Sequence, residues 1–219
     1  MISGFSRIII GVQNVDSAAA EYGALLGTFQ QRDDCALLPL ANIAVALVAD
    51  AAVVEPAISG LELWDESGAA ALPRDARSLP LSFAPGRETA LEPTSTGVSG
   101  VDHVVLRSRD ADDCIRLFRD DLGMRLALDQ QVPEWGGRML FFRCGKLTLE
   151  VIQHLQEPVE RDHFWGITYL CPDIEETLKR LDAAGVAHSE ARAGRKPGTV
   201  VATVKSHNLG IPTLLIQPA

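Results

Sequence analysis

An imidazole and a carboxylate stand inside two apolar segments in the C-terminal half of this 219-residue chain. His103 lies near the start of the apolar run 101–107, and Glu150 interrupts the apolar run 147–152. Both groups transfer protons in catalytic sites, and both bind divalent cations where they converge on one point. Each also has a purely structural interpretation. His103 can be a hydrogen-bonded histidine of the core, and Glu150 can be a carboxylate that faces water from a one-sided sheet.

Strand alternation indicates which neighbours share a face with Glu150. Side chains alternate between the two faces of a strand, so Glu150 lies with Thr148 and Ile152 and apart from Leu149 and Val151. His103 and Glu150 occupy different strands of one predicted sheet. From alternation alone, a carboxylate between two apolar neighbours usually faces water on a one-sided sheet.

Four further side chains are candidates for substrate binding. Trp135 and Arg138 lie on a Pro-Glu-Trp-Gly-Gly hairpin loop, and Phe142 lies inside the strand that follows. Arg138 either clamps a carboxylate or phosphate with two parallel hydrogen bonds or forms a solvated strand end. His207, in the last hairpin loop, is interpreted as an exposed turn residue, with substrate contact as the alternative. His154 is interpreted as peripheral.

The elements that would position these side chains recur along the chain. His103, Asp112 and Gly123 follow Arg7, Asp16 and Gly27 at a constant interval of 96 residues, and a third copy of the pattern runs from 164 to 185. Such an interval indicates a duplicated supersecondary unit. Each copy reads as a strand, an acidic helix start, an amphipathic helix and a closing glycine, followed by strands. The sequence pattern of the second half thus predicts two consecutive modules, each with the element order βαβββ.

The first half is less regular. Residues 8–48 predict one βαββ unit with room for a further short strand, and residues 60–85 open like a strand but lack the pattern of the expected helix. We predict an N-terminal domain at 1–90 with a truncated second module, a linker at 91–99 and a C-terminal domain at 100–219 that carries the candidate site. The first half is expected to serve as scaffold or interface.

Composition narrows the range of functions. The net charge of −9 and the lack of a basic run argue against nucleic-acid and anionic-membrane partners. No apolar run approaches the roughly 20 residues that a membrane span needs, and the N-terminus does not resemble a secretion signal. The four cysteines form no C-x-x-C pair, which favours reduced thiols and a cytoplasmic location. No nucleotide motif is present, so no nucleotide cofactor is expected.

The residues of the third module also resemble a known family. The pattern Asp-His-Val-Val-Leu at 102–106, the acidic residues at 110 and 112, and Phe-Arg-Asp-Asp-Leu-Gly-Met at 118–124 are similar to the opening of a vicinal oxygen chelate module. The superfamily includes glyoxalase I, methylmalonyl-CoA epimerase, bleomycin resistance proteins and extradiol dioxygenases. The resemblance implies an α+β fold of four tandem βαβββ modules, the second degenerate, with sheets curled into half-barrels around a cup.

The same resemblance implies where metal ligands would stand. Each module of the family can offer one ligand on its first strand and one on its last, which here are His103 and Glu150 in the third module. In the fourth module, Gly166 replaces a common histidine and Gln217 replaces a common glutamate. A divalent metal ion held by His103, Glu150 and Gln217 is therefore possible. The resemblance also implies that the curl of the sheet brings His103 and Glu150 together, with Glu150 facing the cup as a catalytic group. The corresponding residues of the first half, Arg7 and Ala46, are not a plausible ligand pair.

Three functions remain open at this point. The favoured one is a metal-assisted isomerase or lyase that acts on a small α-hydroxy or α-keto substrate. The first alternative is metal-free binding or sequestration of a drug or metabolite, as in bleomycin resistance proteins. The second is a ring-cleaving dioxygenase, which would need two histidines and a carboxylate and is disfavoured by Gly166 and Gln217. A homodimer is possible, and a purely structural role is the weakest interpretation.

Overall fold

Two mixed β-sheets dominate the computed structural model, which describes residues 2–32, 35–68, 70–73, 76–86, 89 and 94–219. A six-stranded sheet is built from the first half of the chain and an eight-stranded sheet from the second half. The prediction of an α+β fold with tandem βαβββ modules is confirmed.

The N-terminal sheet contains one complete module and the remnant of a second. Its strand order is β2-β3-β4-β1-β5-β6, with β1 parallel to β4 and antiparallel to β5. The described residues between β5 and β6 form turns and extended chain where the first module has its helix. The elements of this half are β1 (Gly4–Val12), α1 (Val15–Leu26), β2 (Gln30–Gln31), β3 (Cys35–Pro39), β4 (Ala44–Ala49), β5 (Ala57–Trp64) and β6 (Leu81–Phe83).

The C-terminal sheet contains two complete modules placed side by side. Its order is β12-β13-β14-β11-β7-β10-β9-β8, so the first strands of the two modules, β7 and β11, pair at the centre of the sheet. Helix α2 continues as a π-helical turn over Arg116–Asp121. The elements are β7 (Gly100–Arg107), α2 (Ala111–Ile115), β8 (Arg125–Val132), β9 (Gly137–Cys144), β10 (Leu147–His154), β11 (His163–Leu170), α3 (Ile174–Ala183), β12 (Arg192–Ala193), β13 (Val200–Val204) and β14 (Thr213–Gln217).

The three helices begin at capping residues that the sequence makes visible. Asn14, Asp110 and Asp173 each accept a hydrogen bond from a backbone N–H of the first helical turn. These bonds satisfy donors that a helix start leaves without an intrahelical partner. No helix of the described residues is long and apolar enough to cross a membrane.

Two β-bulges interrupt the central pair of strands in the C-terminal sheet. Between β7 and β11, Thr168 pairs with His103 and Tyr169 with Val101, which leaves Asp102 as an extra residue of β7. On the other strand, Phe164 pairs with Leu106 and Gly166 with Val105, which leaves Trp165 as an extra residue of β11. A bulge reverses the side-chain alternation beyond it, so both positions change which residues share a face.

The two halves of the chain share one hydrophobic core. Tyr22 of α1 and Tyr169 of β11 are fully buried, and their hydroxyl groups lie 2.6 Å apart. A second, small apolar cluster of Leu37, Ala44 and Ala46 lies within β3 and β4 of the N-terminal sheet. Arg7 pairs with Glu62, with 3.7 Å between nitrogen and oxygen. The first half is therefore packed into the core of the second.

The division into domains remains a prediction. Residues 91–93 of the predicted linker lie outside the described residues, and Thr94 and Val98 close a turn through a backbone hydrogen bond of 2.8 Å.

Asn42 connects the two halves of the chain through side-chain hydrogen bonds, and we expect its removal to cause a large loss of stability. Its buried amide accepts from the Val101 N–H at 2.9 Å and donates to the Val101 carbonyl at 2.6 Å. The variant Asn42→Ala leaves both backbone groups unsatisfied, so we expect the free energy of unfolding to fall by about 2–3 kcal/mol. Urea denaturation measures this loss. The loop variant Asn208→Ala is the control, and an equal effect of both variants would contradict the role of Asn42.

Candidate functional site

The C-terminal sheet has a helix face and an open face. Helices α2 and α3 pack on the helix face, where Val104, Leu106, Leu149 and Val151 are fully buried. The opposite surface, here called the open face, carries the alternate residues of the same strands. By strand register these include His103 and Arg107 of β7, Glu150 and Ile152 of β10, and Thr168 of β11.

His103 and Glu150 meet on the open face. Nε2 of His103 lies 3.1 Å from Oε2 of Glu150 and 2.8 Å from the hydroxyl oxygen of Thr168. The two side chains come together because β7 and β10 are parallel neighbours, with His103 opposite Thr148 and Glu150 two residues further along the same face. The structure thus brings together the imidazole and the carboxylate that the sequence singles out, and their chemical roles remain predictions.

Asp102 completes a chain of three ionisable groups. Its carboxylate oxygen lies 2.7 Å from Nδ1 of His103. Consecutive strand residues normally point to opposite faces, and the bulge at Asp102 is what allows these two side chains to meet. The hydrogen bond from His103 holds the pKa of Asp102 below its usual range. An ionised carboxylate only accepts hydrogen bonds, so Nδ1 of His103 donates and Nε2 faces Glu150.

Burial sets the electrostatics of Glu150. The residue is 8% exposed, and the loss of solvent raises the pKa of its carboxyl group despite the opposing influence of His103 and Arg195. A group whose pKa is raised by folding stabilises the protein fully below its ordinary value of 4.5 and loses that contribution as the pH rises through the raised value. Above the raised pKa, the ionised Glu150 carboxylate therefore favours folding less than the protonated carboxyl group does.

Replacement of Glu150 by glutamine tests this electrostatic cost. We expect Glu150→Gln to melt at a higher temperature than the native protein at pH 7, because a neutral amide replaces a buried carboxylate. The difference should shrink as the pH falls below the ordinary glutamate pKa, where the carboxyl group is neutral in both states. Thermal denaturation at several pH values measures it. The exposed-residue variant Glu190→Gln is the control, and a variant with a lower Tm than the native protein at pH 7 would contradict the prediction.

A cavity of about 290 Å³ lies on the open face, close to the group formed by Asp102, His103 and Glu150. Ile152, on its wall, is two residues beyond Glu150 on the same face of β10, a separation of roughly 7 Å. The cavity is lined by two arginines, one histidine and three apolar or aromatic side chains, which are Arg107, Arg195, His154, Met139, Ile152 and Trp165. Its volume is close to the lower end of the range for small-molecule sites, roughly 300–1,000 Å³.

Sequence reasoning missed most of the cavity. His154, which the sequence analysis interprets as peripheral, lines the wall of this cavity. Arg107 has the strand parity of His103, and this alternation is a signal that would have identified it. Trp165 reaches the open face only because of its bulge, and Arg195 lies on a loop, so no strand pattern indicates either residue.

The expectation that Gln217 shares a metal site with His103 and Glu150 is wrong. Its amide oxygen accepts a hydrogen bond from the Ile174 N–H at 2.9 Å, at the start of α3. Gln217 has the parity of the fully buried Leu215 and faces the helices, whereas Leu214 stands opposite Thr168 on the open face. The fourth module thus presents an alkyl group at this point of the open face.

Arg138 is held by two acidic neighbours. It binds Asp129 of β8 with two hydrogen bonds of 2.7 and 2.6 Å and Asp112 of α2 with one of 2.7 Å. These ion pairs join the edge of the sheet to the helix, and a substrate-binding role of Arg138 stays a prediction.

Phe142 belongs to the core. It is fully buried on the helix face, where its ring centroid lies 5.4 Å from that of Phe118. The expectation that it lines the pocket is therefore wrong, and the reason is strand parity, since the neighbouring Phe141 pairs with Glu150 and shares its face.

The structure does not test the predicted substrate contacts of Trp135 and His207. The side chain of Trp135 lies outside the part of the chain that the structure describes. His207 adopts a left-handed backbone conformation with φ of 57° in the β13–β14 loop, and its Nδ1 lies 2.9 Å from the Ser206 hydroxyl. Ser206 in turn accepts from the Ala187 N–H, so His207 belongs to a loop network. A contact with substrate stays a prediction for both residues.

The donor set on the open face falls short of a catalytic metal site. Such a site usually has three protein ligands and open positions for substrate. His103 and Glu150 supply two donors, and Thr168 adds a neutral hydroxyl. At Gly166, a Cβ atom would lie 2.8 Å from the Pro212 carbonyl oxygen, so a histidine does not fit there without a shift of the backbone. Among the described residues, no group of three or more His, Cys, Asp or Glu side chains is arranged to hold a metal ion. The residues present do not fit a resident metal.

Comparison with protein families identifies one match. Residues 102–203 match the model of the glyoxalase/bleomycin resistance protein/dioxygenase superfamily. A search of curated proteins found no match to the chain.

Solved structures agree with this assignment at the level of fold. Methylmalonyl-CoA epimerase from Mycobacterium tuberculosis is 20% identical, with a TM-score of 0.50 over 59% of this chain and 94% of its own. A mutant of 4-hydroxymandelate synthase from Streptomyces coelicolor is 16% identical, with a TM-score of 0.70 over 99% of this chain and 92% of its own. At these identities the similarity shows the fold alone. Both halves of the chain are included in the second match.

Proposed function

We propose that the chain is an isomerase or lyase that transfers a proton on a small α-hydroxy or α-keto substrate. The match of residues 102–203 to the glyoxalase/bleomycin resistance protein/dioxygenase superfamily supports this proposal. One observation carries the proposal, which is the placement of the His103 ring between the carboxylates of Asp102 and Glu150, close to a cavity on the open face. Burial raises the pKa of the Glu150 carboxyl group, and a raised pKa suits a carboxylate that acts as a general base.

The chain of groups suggests how the proton moves. The Glu150 carboxylate removes a proton from the substrate carbon next to a carbonyl group, and the electron pair of that C–H bond moves onto the carbonyl to form an enolate. Nε2 of His103, 3.1 Å from Glu150, exchanges the proton with the carboxylate. Asp102 holds the ring by its Nδ1–H. Return of the proton to the other face of the carbon, or loss of a neighbouring group, completes isomerisation or elimination.

No step of this proposal passes through a metal ion. The sequence favoured a metal-assisted reaction, but Gln217 faces the helices and the fourth module offers Gly166 and Leu214 on the open face. For the same reason, the ring-cleaving dioxygenase has little support, because its two histidines and carboxylate would have to come from these positions.

Hydrogen–deuterium exchange tests the proposed function. The protein is incubated in D₂O with a panel of α-keto and α-hydroxy acids, and loss of the proton next to the carbonyl or hydroxyl group is followed by NMR. We expect exchange above the uncatalysed rate for at least one acid, and we expect that exchange to persist after EDTA treatment and dialysis. Exchange that stops with EDTA and returns with an added divalent metal would contradict the metal-free mechanism.

Ligand sequestration is the second candidate function, and the cavity wall favours it. Met139, Ile152 and Trp165 give the cavity an apolar side that suits binding without reaction. The same assay separates the two functions. Tight binding of a panel member in calorimetry with no exchange of any proton would support sequestration and contradict the isomerase or lyase.

A further inference from the structure

Two arginines of the described residues line the cavity of the open face without forming an ion pair. In the part of the chain that the structure describes, the guanidinium groups of Arg107 and Arg195 take part in no ion pair or side-chain hydrogen bond. Elsewhere, Arg77, Arg138 and Arg180 each bind a carboxylate. Two arginines that converge on one cavity without partners are groups to which an incoming anion can bind.

The charge around the cavity contrasts with that of the protein. The chain has a net charge of −9, yet Arg107 and Arg195 line this cavity together. Arg143 and Lys196 lie close enough to Asp102 to act on it electrostatically, and Arg195 acts in the same way on Glu150. A concentration of positive charge in a cleft of an acidic protein attracts small anions.

The remaining wall of the cavity is apolar. Met139 is 9% exposed, Ile152 is half-buried and Trp165 is 42% exposed, which is unusual for a tryptophan and gives it a free ring surface. Large exposed aromatic groups at the edge of a pocket suit an apolar or aromatic substituent of a ligand.

We propose that this cavity binds a small anion, a carboxylate or a phosphate monoester, that carries one apolar substituent. Arg107 and Arg195 bind the anionic group, and Met139, Ile152 and Trp165 contact the substituent. The inference defines the substrate class for the reaction suggested above and rests on that proposed function only for the chemistry. Glu150 lies two residues from Ile152 on the same face of β10, so the carboxylate of the proposed reaction is close to the wall of this cavity.

Calorimetric titration with three matched probes tests the proposal. The probes are 3-phenyllactate, phenyl phosphate and the neutral 2-phenylacetamide, and the proteins are the native chain, Arg107→Gln, Arg195→Gln and the double variant. We expect at least one anion to bind and the amide to bind much more weakly. Each single variant should weaken anion binding about 10- to 100-fold, because charge-assisted hydrogen bonds are lost. The control is Arg180→Gln on α3, which makes the same change of charge away from the cavity.

Several outcomes would overturn the proposal. They are equal affinity for the amide and the anions, no binding of either anion, and unchanged anion affinity in the double variant. Carboxylate binding without phosphate binding, or the reverse, identifies which anion the site selects. Titration of Glu150→Gln separates this inference from the proposed function. If anions bind but no proton exchange is seen, only the proposed reaction is contradicted. If a substrate exchanges its proton at a rate that does not depend on Arg107 and Arg195, only the anion site is contradicted.

Discussion

Glu150→Gln is expected to slow proton exchange by about 100- to 10,000-fold, the usual contribution of a positioned general base. Glutamine has nearly the shape of glutamate but does not accept a proton at neutral pH. It keeps contact with His103, so the affinity for an anionic ligand should be largely unchanged, and the loss should appear in the rate constant. The exchange assay in D₂O at saturating ligand measures it directly.

The controls for Glu150 separate catalysis from folding. Glu190→Gln changes an exposed carboxylate by the same chemistry and should exchange protons at the native rate. Glu150→Gln itself is expected to be at least as stable as the native protein at pH 7, so unfolding would not explain a slower rate. Retention of most of the native rate by Glu150→Gln would remove Glu150 from the mechanism.

Phe142→Ala is expected to lower the free energy of unfolding by about 3–5 kcal/mol, the usual cost of truncating a buried phenylalanine. The side chain is fully buried and packs against Phe118 beneath the sheet. Its removal leaves a cavity that the neighbouring strands and helix cannot fill without distortion. Chemical denaturation measures the loss.

Phe141→Ala provides the matched comparison, because Phe141 is the next residue on β9 and lies on the open face opposite Glu150. This half-buried ring should contribute less to stability, so the variant should lose less than Phe142→Ala. A Phe142→Ala protein with native stability and weakened ligand binding would restore the original interpretation of Phe142 as a pocket residue.

The fold was predictable because its signals are local and repeated. Strand alternation, the capping residues Asn14, Asp110 and Asp173, and the 96-residue interval all point to duplicated modules. The same alternation correctly separates Glu150 from Leu149 and Val151, as burial of the latter two on the helix face confirms.

The rest of the site depends on pairing between distant strands. The bulges at Asp102 and Trp165 arise where β7 and β11 pair, and neither sequence segment marks an extra residue. The family resemblance placed Gln217 at the ligand position of the last strand. The register of β14 with β11 instead places Leu214 on the open face, opposite Thr168. Arg195 approaches Glu150 from a loop, for which no periodic pattern exists.

Nitrogen NMR of the His103 ring tests the account most directly. In protein labelled with ¹⁵N at histidine, the account predicts that Asp102→Asn mainly shifts the Nδ1 resonance and that Glu150→Gln mainly shifts the Nε2 resonance, because each nitrogen faces one of these carboxylates. Ring nitrogens of His103 that do not respond to Glu150→Gln would show that the imidazole and the carboxylate are not in contact in solution, and the proposed proton transfer would have no structural basis.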